Sequence, residues 1–381
     1  FSSSASDALS YLDQVEFDIV FADLTAGMLA GAQFLHEVWA RHPNIIRFLL
    51  GTRMDPDIML TCVMAAHQFL LKPVERCSVE AALDRANVMQ ELLRDRQLQS
   101  LLSRIRTFPA SPRIYLEVMR EVRSQNGSAQ TIGELVSKDL AISTKLLQVI
   151  NSAAFGFSQK VSSPADAVLL IGMQTTASLV LGIEAFAQLD RLNATEFPVD
   201  QLWRHSQNVA LAARTAAQFY TRDPEIAHEA FTAGLLHDIG KLALAMNFPE
   251  EYQFAMAICS EKRVDSWVAE KEVMGATHAE AGAYLLSLWG LPSAMIRAVA
   301  AHHEPAAALS PDFTALTAVH LANMIESARA RQLPFGPEQL AELNYPAELG
   351  LLEGFQGLQE ALGFNEEPEV EGNPGVLAAG A

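Results

Sequence analysis

Short apolar runs alternate with helix-like stretches through residues 1–75. Phe17 to Ala22 is a run of β-formers, Ile45 to Leu50 is a second, and Phe69 to Leu71 is a shorter third. Between them, Leu29 to Trp39 and Ile58 to Ala66 carry helical spacing. Apolar strands separated by helices predict a parallel sheet covered on both faces. Residues 76–106 contain neither Gly nor Pro. Leu83, Val88, Leu92, Leu98, Leu101, Leu102 and Ile105 recur there at helical spacing, with charges on the other face. This predicts one long amphipathic helix of about eight turns. Such a helix serves as a linker, as a coiled-coil-like partner surface, or as a helix packed on its own domain.

From Thr107 onward the period is that of helices, in Ala141–Ile150, Ala165–Ile171, Leu202–Phe219 and Ala227–Met246. Beyond Leu333 the chain turns rich in Pro and Gly, and Asn365 to Ala381, with Glu366, Glu367, Glu369 and Glu371, predicts a disordered acidic tail. The expected organisation is multidomain: an α/β unit at 1–75, a linker helix at 76–106, an all-α unit at 107–330 and an extension at 331–381.

Half of the 381 residues are hydrophobic and 19% are charged, enough apolar content for one or more cores and too much for a disordered chain. The formal charge is −18, and no Lys/Arg-rich run offsets it. A phosphate backbone would be repelled, so no direct nucleic-acid partner is expected. Cys62, Cys77 and Cys259 form no CxxC pair and are expected as reduced thiols. Val168 to Ile183 comes nearest to a membrane span, but Gln174, Thr175, Thr176 and Ser178 interrupt it, and a buried helix is expected instead. The first residues carry no basic stretch, so no signal peptide and a cytoplasmic location are expected.

In an open parallel sheet, chemistry collects at the carboxyl ends of strands. Asp23 follows the first apolar run and Lys72-Pro73 the third. A strand-end aspartate is more often a cap or turn residue. A carboxylate and an ammonium brought together there also make a phosphoryl-accepting site. The stretch Asp18 to Pro73 resembles the second half of a response-regulator receiver domain, a flavodoxin-like α/β fold, of which this would be a part. The matches are the FDIVFADL segment, Gly31, Arg47-Phe-Leu-Leu and Phe-Leu-Leu-Lys-Pro. The resemblance implies that Asp23 is the phosphoacceptor, Lys72 its phosphate partner and a sensor histidine kinase the donor. The switch position falls on Gly51, with Thr52 one residue late. The family's Mg2+-binding acidic pair lies on a first strand of which these residues show nothing, so about 30 further residues and Mg2+-dependent phosphorylation are expected of the complete protein.

Seven of the ten histidines fall between residues 205 and 320. His205, the His237-Asp238 pair in Gly-Leu-Leu-His-Asp-Ile-Gly-Lys241, His278, the His302-His303 pair and His320 stand in helical surroundings. Imidazole and carboxylate are good ligands for first-row transition metals. His237 and Lys241 are four apart and share a helix face, which sets a ligand beside a phosphate-binding ammonium. A metal held there lowers the pKa of bound water and hydrolyses a phosphoester. Each histidine singly is better read as satisfying a core hydrogen bond.

The set resembles the HD superfamily of metal-dependent phosphohydrolases: His205, His237 and Asp238 match its first three ligands, and Asn323 stands where the last aspartate belongs. His278, His302 and His303 are similar to the additional histidines of the HD-GYP cyclic-di-GMP phosphodiesterases, without the GYP tripeptide. The closer likeness is to the HDOD domain. It is carried from Leu102 to Ala328 by Lys138 to Ser152, Ala154-Phe-Gly156, Ala167 to Gly172, the His237-Asp238 segment, Trp289-Gly-Leu-Pro292 and His302-His-Glu304. That resemblance implies an all-α HD-like module in bacterial signalling that acts on a downstream signalling protein, with a homodimer through the linker helix. The enzymatic alternative is a phosphohydrolase of cyclic dinucleotides or nucleotides using Fe, Mn or Zn. His237, Asp238, His302 and His303 are expected to converge in one pocket, with His205 and His278 at its edge and Asn323 opposite.

Overall fold

The computed structural model describes residues 1–23, 28–42, 44–51, 66–105, 113–152, 155, 157, 161–190, 197–305, 312–333, 335–336 and 351–362. Three parallel strands, β1 (Ile19–Asp23), β2 (Ile46–Gly51) and β3 (Gln68–Leu71), lie in that order, with Phe21 opposite Phe48 and Leu49 opposite Phe69. The central strand is buried along nearly its whole length, as its continuous apolar run requires. Helices α1 (Ala5–Leu12) and α2 (Met28–Arg41) cover one side, where Leu9, Leu12, Val38 and Ile45 form a small core. The three strands and the first intervening helix stand where the hydrophobic runs place them. The helix expected over Ile58–Ala66 and the residue Thr52 lie outside the described residues, while Gly51 closes β2. A complete doubly wound sheet is not present among the described residues.

The expected single helix over 76–106 is two helices, α3 (Arg76–Leu92) and α4 (Arg96–Arg104). The break needs no Gly or Pro. Asp95 leaves helical geometry and its carboxylate accepts the amides of Gln97 and Leu98 at 2.7 and 3.3 Å, an N-cap that starts a new helix. Nor is the apolar stripe exposed beyond Leu83. Ala82, Ala86, Met89, Leu98 and Leu101 share one core with Ile46, Phe48 and Leu70 of the sheet and with Leu244, Phe248, Tyr252 and Ala281 of the helical region. Apart from Leu83, the stripe from which a linker-helix dimer would be built is packed within the chain.

The remainder is helical. Helices α5 (Arg113–Val122), α6 (Ala129–Ser137), α7 (Leu140–Ile150) and α8 (Pro164–Ile171) pack around Ile132, Leu146 and Ile150. Asn151 caps α7 at φ −81°, not in the left-handed region its residue type suggested. Its amide accepts the Val161 N–H and donates to the Val161 carbonyl. Gly156 lies outside the described residues. The apolar run Val168–Ile183 is broken at Gly172, φ +83°, and continues as α9 (Met173–Asp190). No helix among the described residues is long and apolar enough to cross a membrane.

The second half of the helical region follows as α10 (Val199–Thr221), α11 (Pro224–Leu236), α12 (Ile239–Asn247), α13 (Pro249–Lys262), α14 (Ser266–Met274), α15 (His278–Leu288), α16 (Ser293–Ala301) and α17 (Ala315–Ala330). Part of the expected C-terminal extension is ordered against it. A short helix α18 (Phe355–Ala361) buries Phe355 and Leu358 against Ala216, Leu321 and Ile325. The acidic tail lies outside the described residues.

Candidate metal centre

The histidines are carried by helix termini that face one another. His205 is on α10; His237 and Asp238 form the junction of α11 and α12; Lys241 is one turn into α12. His278 opens α15, His302 and His303 follow α16, and His320 and Asn323 are on α17. Close packing makes this convergence. A Cβ on Gly240 would lie 1.9 Å from the His278 carbonyl oxygen and 2.7 Å from the Gly282 nitrogen. Only hydrogen at that position lets α12 and α15 approach so closely, and the approach sets Asp238 beside His278.

Asp238 is the hub. Its Oδ2 faces His237 Nε2 at 3.3 Å, His205 Nε2 at 3.7 Å and Lys241 Nζ at 2.7 Å. Its Oδ1 faces His278 Nε2 at 3.0 Å and His302 Nε2 at 3.8 Å. His303 Nε2 lies 3.0 Å from His278 Nε2. Two ligand sets therefore share one carboxylate: His205, His237 and Asp238, and Asp238, His278, His302 and His303, the ligand atoms within each lying within 4.8 Å of one another. Asn323 is opposite, its Oδ1 3.1 Å from His205 Nε2. All the site residues expected in the pocket are brought together, and Asp23 and Lys72 are brought together separately as an ion pair at the carboxyl ends of β1 and β3.

The far side of each ring fixes its tautomer. His237 Nδ1 lies 2.7 Å from the Gly234 carbonyl and His302 Nδ1 2.7 Å from the Val299 carbonyl. A carbonyl only accepts, so both Nδ1 atoms carry a proton and both Nε2 atoms are turned toward Asp238; burial keeps the His302 ring neutral, so its Nε2 presents a lone pair. Glu270 does the same for His278, its Oε2 accepting from Nδ1 at 2.6 Å and from the backbone N–H at 2.7 Å. His302 in turn is held by His320, whose Nδ1 donates to the His302 carbonyl. Glu270 and the two carbonyls escape a reading of the sequence. A glutamate on a helix looks like a surface residue, and the sequence signal was no more than its place eight residues before a histidine.

The electrostatics follow from burial. Desolvation, then the neighbouring histidines, lower His302 well below the ordinary histidine value. The same order of causes brings His303 to about 2, with His278 its leading neighbour, and His205 to about 4, with His237 leading. Burial pushes Asp238 up, but His237, Lys241 and the bonds to its carboxylate outweigh it and hold it well below the carboxylate range. For His278 desolvation is outweighed by Glu270 and Asp238, and its value is raised.

What remains is a set of acceptors with nothing to accept. Two ring nitrogens, His237 Nε2 and His302 Nε2, are buried without a hydrogen-bond partner. Each such atom costs about 1–3 kcal/mol, and lone pairs pointed at a carboxylate are relieved by a cation. These donors suit a first-row divalent ion, and the carbonyls and Glu270 behind the rings are the outer partners a metal-bound histidine has.

The model of the HDOD domain matches residues 108–305, just over half of this sequence. The chain belongs to the HDOD family. A Treponema pallidum (strain Nichols) protein of uncharacterized role is 28% identical over 205 residues, 54% of this chain. The chain spans 39% of that relative's length. Among solved structures, an HDOD domain protein of unknown function from Geobacter sulfurreducens superposes with a TM-score of 0.52 at 21% identity, over 68% of this chain and 80% of that one. A Shewanella amazonensis SB2B protein whose name carries a provisional phosphohydrolase assignment superposes with a TM-score of 0.55 at 23% identity, over 69% and 93% of the two chains. At these identities the likeness shows the shared HDOD fold.

Proposed function

We propose that this chain is a signal-transduction protein whose HDOD helices hold one divalent metal ion between Asp238, His278, His302 and His303. The observation that carries the reading is the orphaned, fully buried His302 Nε2, set with His278 and His303 around Asp238. The two ligand sets are not equivalent. In the first, Lys241 already compensates Asp238 Oδ2 at 2.7 Å, and the amide of Asn323 stands where a carboxylate would add charge. The second gathers three imidazoles around one carboxylate oxygen, with Glu270 behind the His278 ring. Bound there, a divalent ion supplies Lewis acidity; the donor set suits Zn2+, Fe2+ or Mn2+.

The N-terminal sheet supports a receiver-type input. Asp23 and Lys72 pair at the strand ends where a phosphoryl group would be met, and the parallel order β1-β2-β3 agrees with a partial receiver. On this reading a sensor histidine kinase phosphorylates Asp23 with Mg2+ in the complete protein, and the HDOD helices answer to a downstream signalling protein. Small-phosphodonor labelling that persists in Asp23→Asn would refute the phosphoacceptor.

Metal analysis of the full chain after Zn2+ loading and desalting tests the centre. Wild type and His205→Ala should each retain about one equivalent, and His302→Ala should lose it. No retention by wild type, or loss only in His205→Ala, contradicts the assignment. A second reading, phosphohydrolysis, is favoured by one observation: beside Asp238, His205 and Lys241 are 25% and 20% exposed, so an anionic phosphate has a way in. Turnover of a cyclic dinucleotide by metal-loaded protein, abolished in Lys241→Ala, would establish it.

A further inference from the structure

Glu270 and Lys271 are consecutive on α14 and face opposite tasks. Glu270 points inward and holds the His278 ring and its backbone N–H. Lys271 points outward, its Nζ 2.9 Å from both Asp95 Oδ2 and Glu280 Oε1. Asp95 is the residue that breaks the linker and starts α4. Glu280 closes the capping box of α15, its Oε2 accepting from the Thr277 N–H at 2.7 Å and from the Thr277 hydroxyl at 3.1 Å. The next residue is His278. Lys271, Thr277, Glu280 and His303 also line one cleft of about 100 Å3 at the edge of the centre, where Trp267 stacks on His303 with ring centroids 5.6 Å apart.

Arg104 of α4 also pairs with Glu251 of α13, and other supports of the linker end on the helices of the centre. Arg297 of α16, one turn before His302, donates to Glu91 of α3 at 2.9 Å, and Ser293 bonds Asp84. Gln68 of β3 donates to the Ser287 carbonyl of α15 at 3.3 Å. The elements carrying His278, His302 and His303 are therefore among those on which linker and sheet rest.

We infer that the metal centre and the linker are coupled through Lys271, so that an ion held by His278 steadies the docking of α4 at Asp95. The inference rests on the metal reading above. Fixing the His278 ring fixes Glu270 and with it the turn of α14 that presents Lys271; the capping box ties the same lysine to the start of α15. Coupling of this kind is reciprocal in free energy: whatever loosens α4 loosens the hold on the ion by the same factor.

The test is hydrogen exchange of Arg96–Arg104 in the full chain, with and without Zn2+, in wild type and Asp95→Asn. Asparagine keeps the N-cap and removes the charge that Lys271 meets, so the variant separates coupling from folding. Zn2+ should slow exchange of this helix in wild type by about fivefold, the lower end of ordinary allosteric coupling, and by less than about twofold in Asp95→Asn. Lys271→Met should behave as Asp95→Asn, and Lys271→Arg should keep most of the effect. Retained Zn2+ with unchanged exchange at 96–104, or equal slowing in Asp95→Asn, overturns the coupling while the metal site stands. Failure to retain Zn2+ removes the metal reading itself and the coupling with it.

Discussion

Glu270 is fully buried and spends one carboxylate oxygen on a single neighbour, His278. Its charge keeps the Nδ1 proton in place and the Nε2 edge of the ring turned to Asp238. Glu270→Gln keeps the shape and loses the charge, and metal affinity should fall about 10- to 100-fold, as loss of an outer partner generally costs; a chelator competition titration measures it. Unchanged affinity would reduce Glu270 to a packing residue. Asn323 makes the complementary prediction. Asn323→Asp gives the His205 set a second carboxylate, and metal content should rise from about one to about two equivalents; content that stays at one would mean the Lys241 ammonium holds that side against any cation. At this scale the histidines were legible because imidazoles in apolar helices are conspicuous. Glu270, Gly234 and Val299 were not, since a helical glutamate and two carbonyls acquire their roles only when rings from elsewhere in the chain are packed against them.

The crossing of α12 and α15 is the element on which the centre depends. Gly240→Ala puts a methyl group 1.9 Å from the His278 carbonyl oxygen, so the two helices must separate. Overpacking of this kind costs about 1–3 kcal/mol and sometimes more. The urea midpoint should fall and metal affinity with it, because Asp238 and His278 sit on opposite sides of the crossing. A variant with the wild-type midpoint would show that the crossing has slack. Strands β1 to β3 and helices α2, α7, α8 and α10 were readable from period alone, and the run Ala227–Met246 is divided into α11 and α12 at His237-Asp238. The break at Leu93–Asp95 was not, because an aspartate in a polar face looks the same whether it faces water or caps a helix; what decides is the neighbouring Lys271 and the core that takes up Leu98 and Leu101.

Over the whole molecule, the sheet and the HDOD helices share one apolar core, and a buried polar cluster lies in the seam. Arg47 and His67 are buried there, the Arg47 backbone N–H donating to His67 Nδ1 at 3.0 Å, and the His67 ring meets Tyr284 of α15 edge-on at 6.2 Å. Burial first, and the Arg47 charge second, hold His67 well below the ordinary histidine value. The unfolded chain takes up a proton at this residue below about pH 6.5 and the folded chain does not. Stability from this group is therefore complete above that pH and declines as pH falls, by about 1.4 kcal/mol per unit. In chelator-treated full chain, the urea midpoint should drop between about pH 7.5 and pH 5.5, and the drop should shrink in His67→Asn, whose Oδ1 replaces the Nδ1 acceptor without titrating; equal drops would place the titration elsewhere. No pattern of single residues announced this seam, because it is made by two stretches far apart in the chain. The central claim is the place of the ion, and anomalous diffraction from crystals of the full chain grown with Zn2+ locates it directly. The account predicts a peak bonded to Nε2 of His278, His302 and His303, with Zn–N distances of about 2.0–2.1 Å, and to Oδ1 of Asp238. A peak on the His205 and His237 side alone, or none among these four groups, would contradict it.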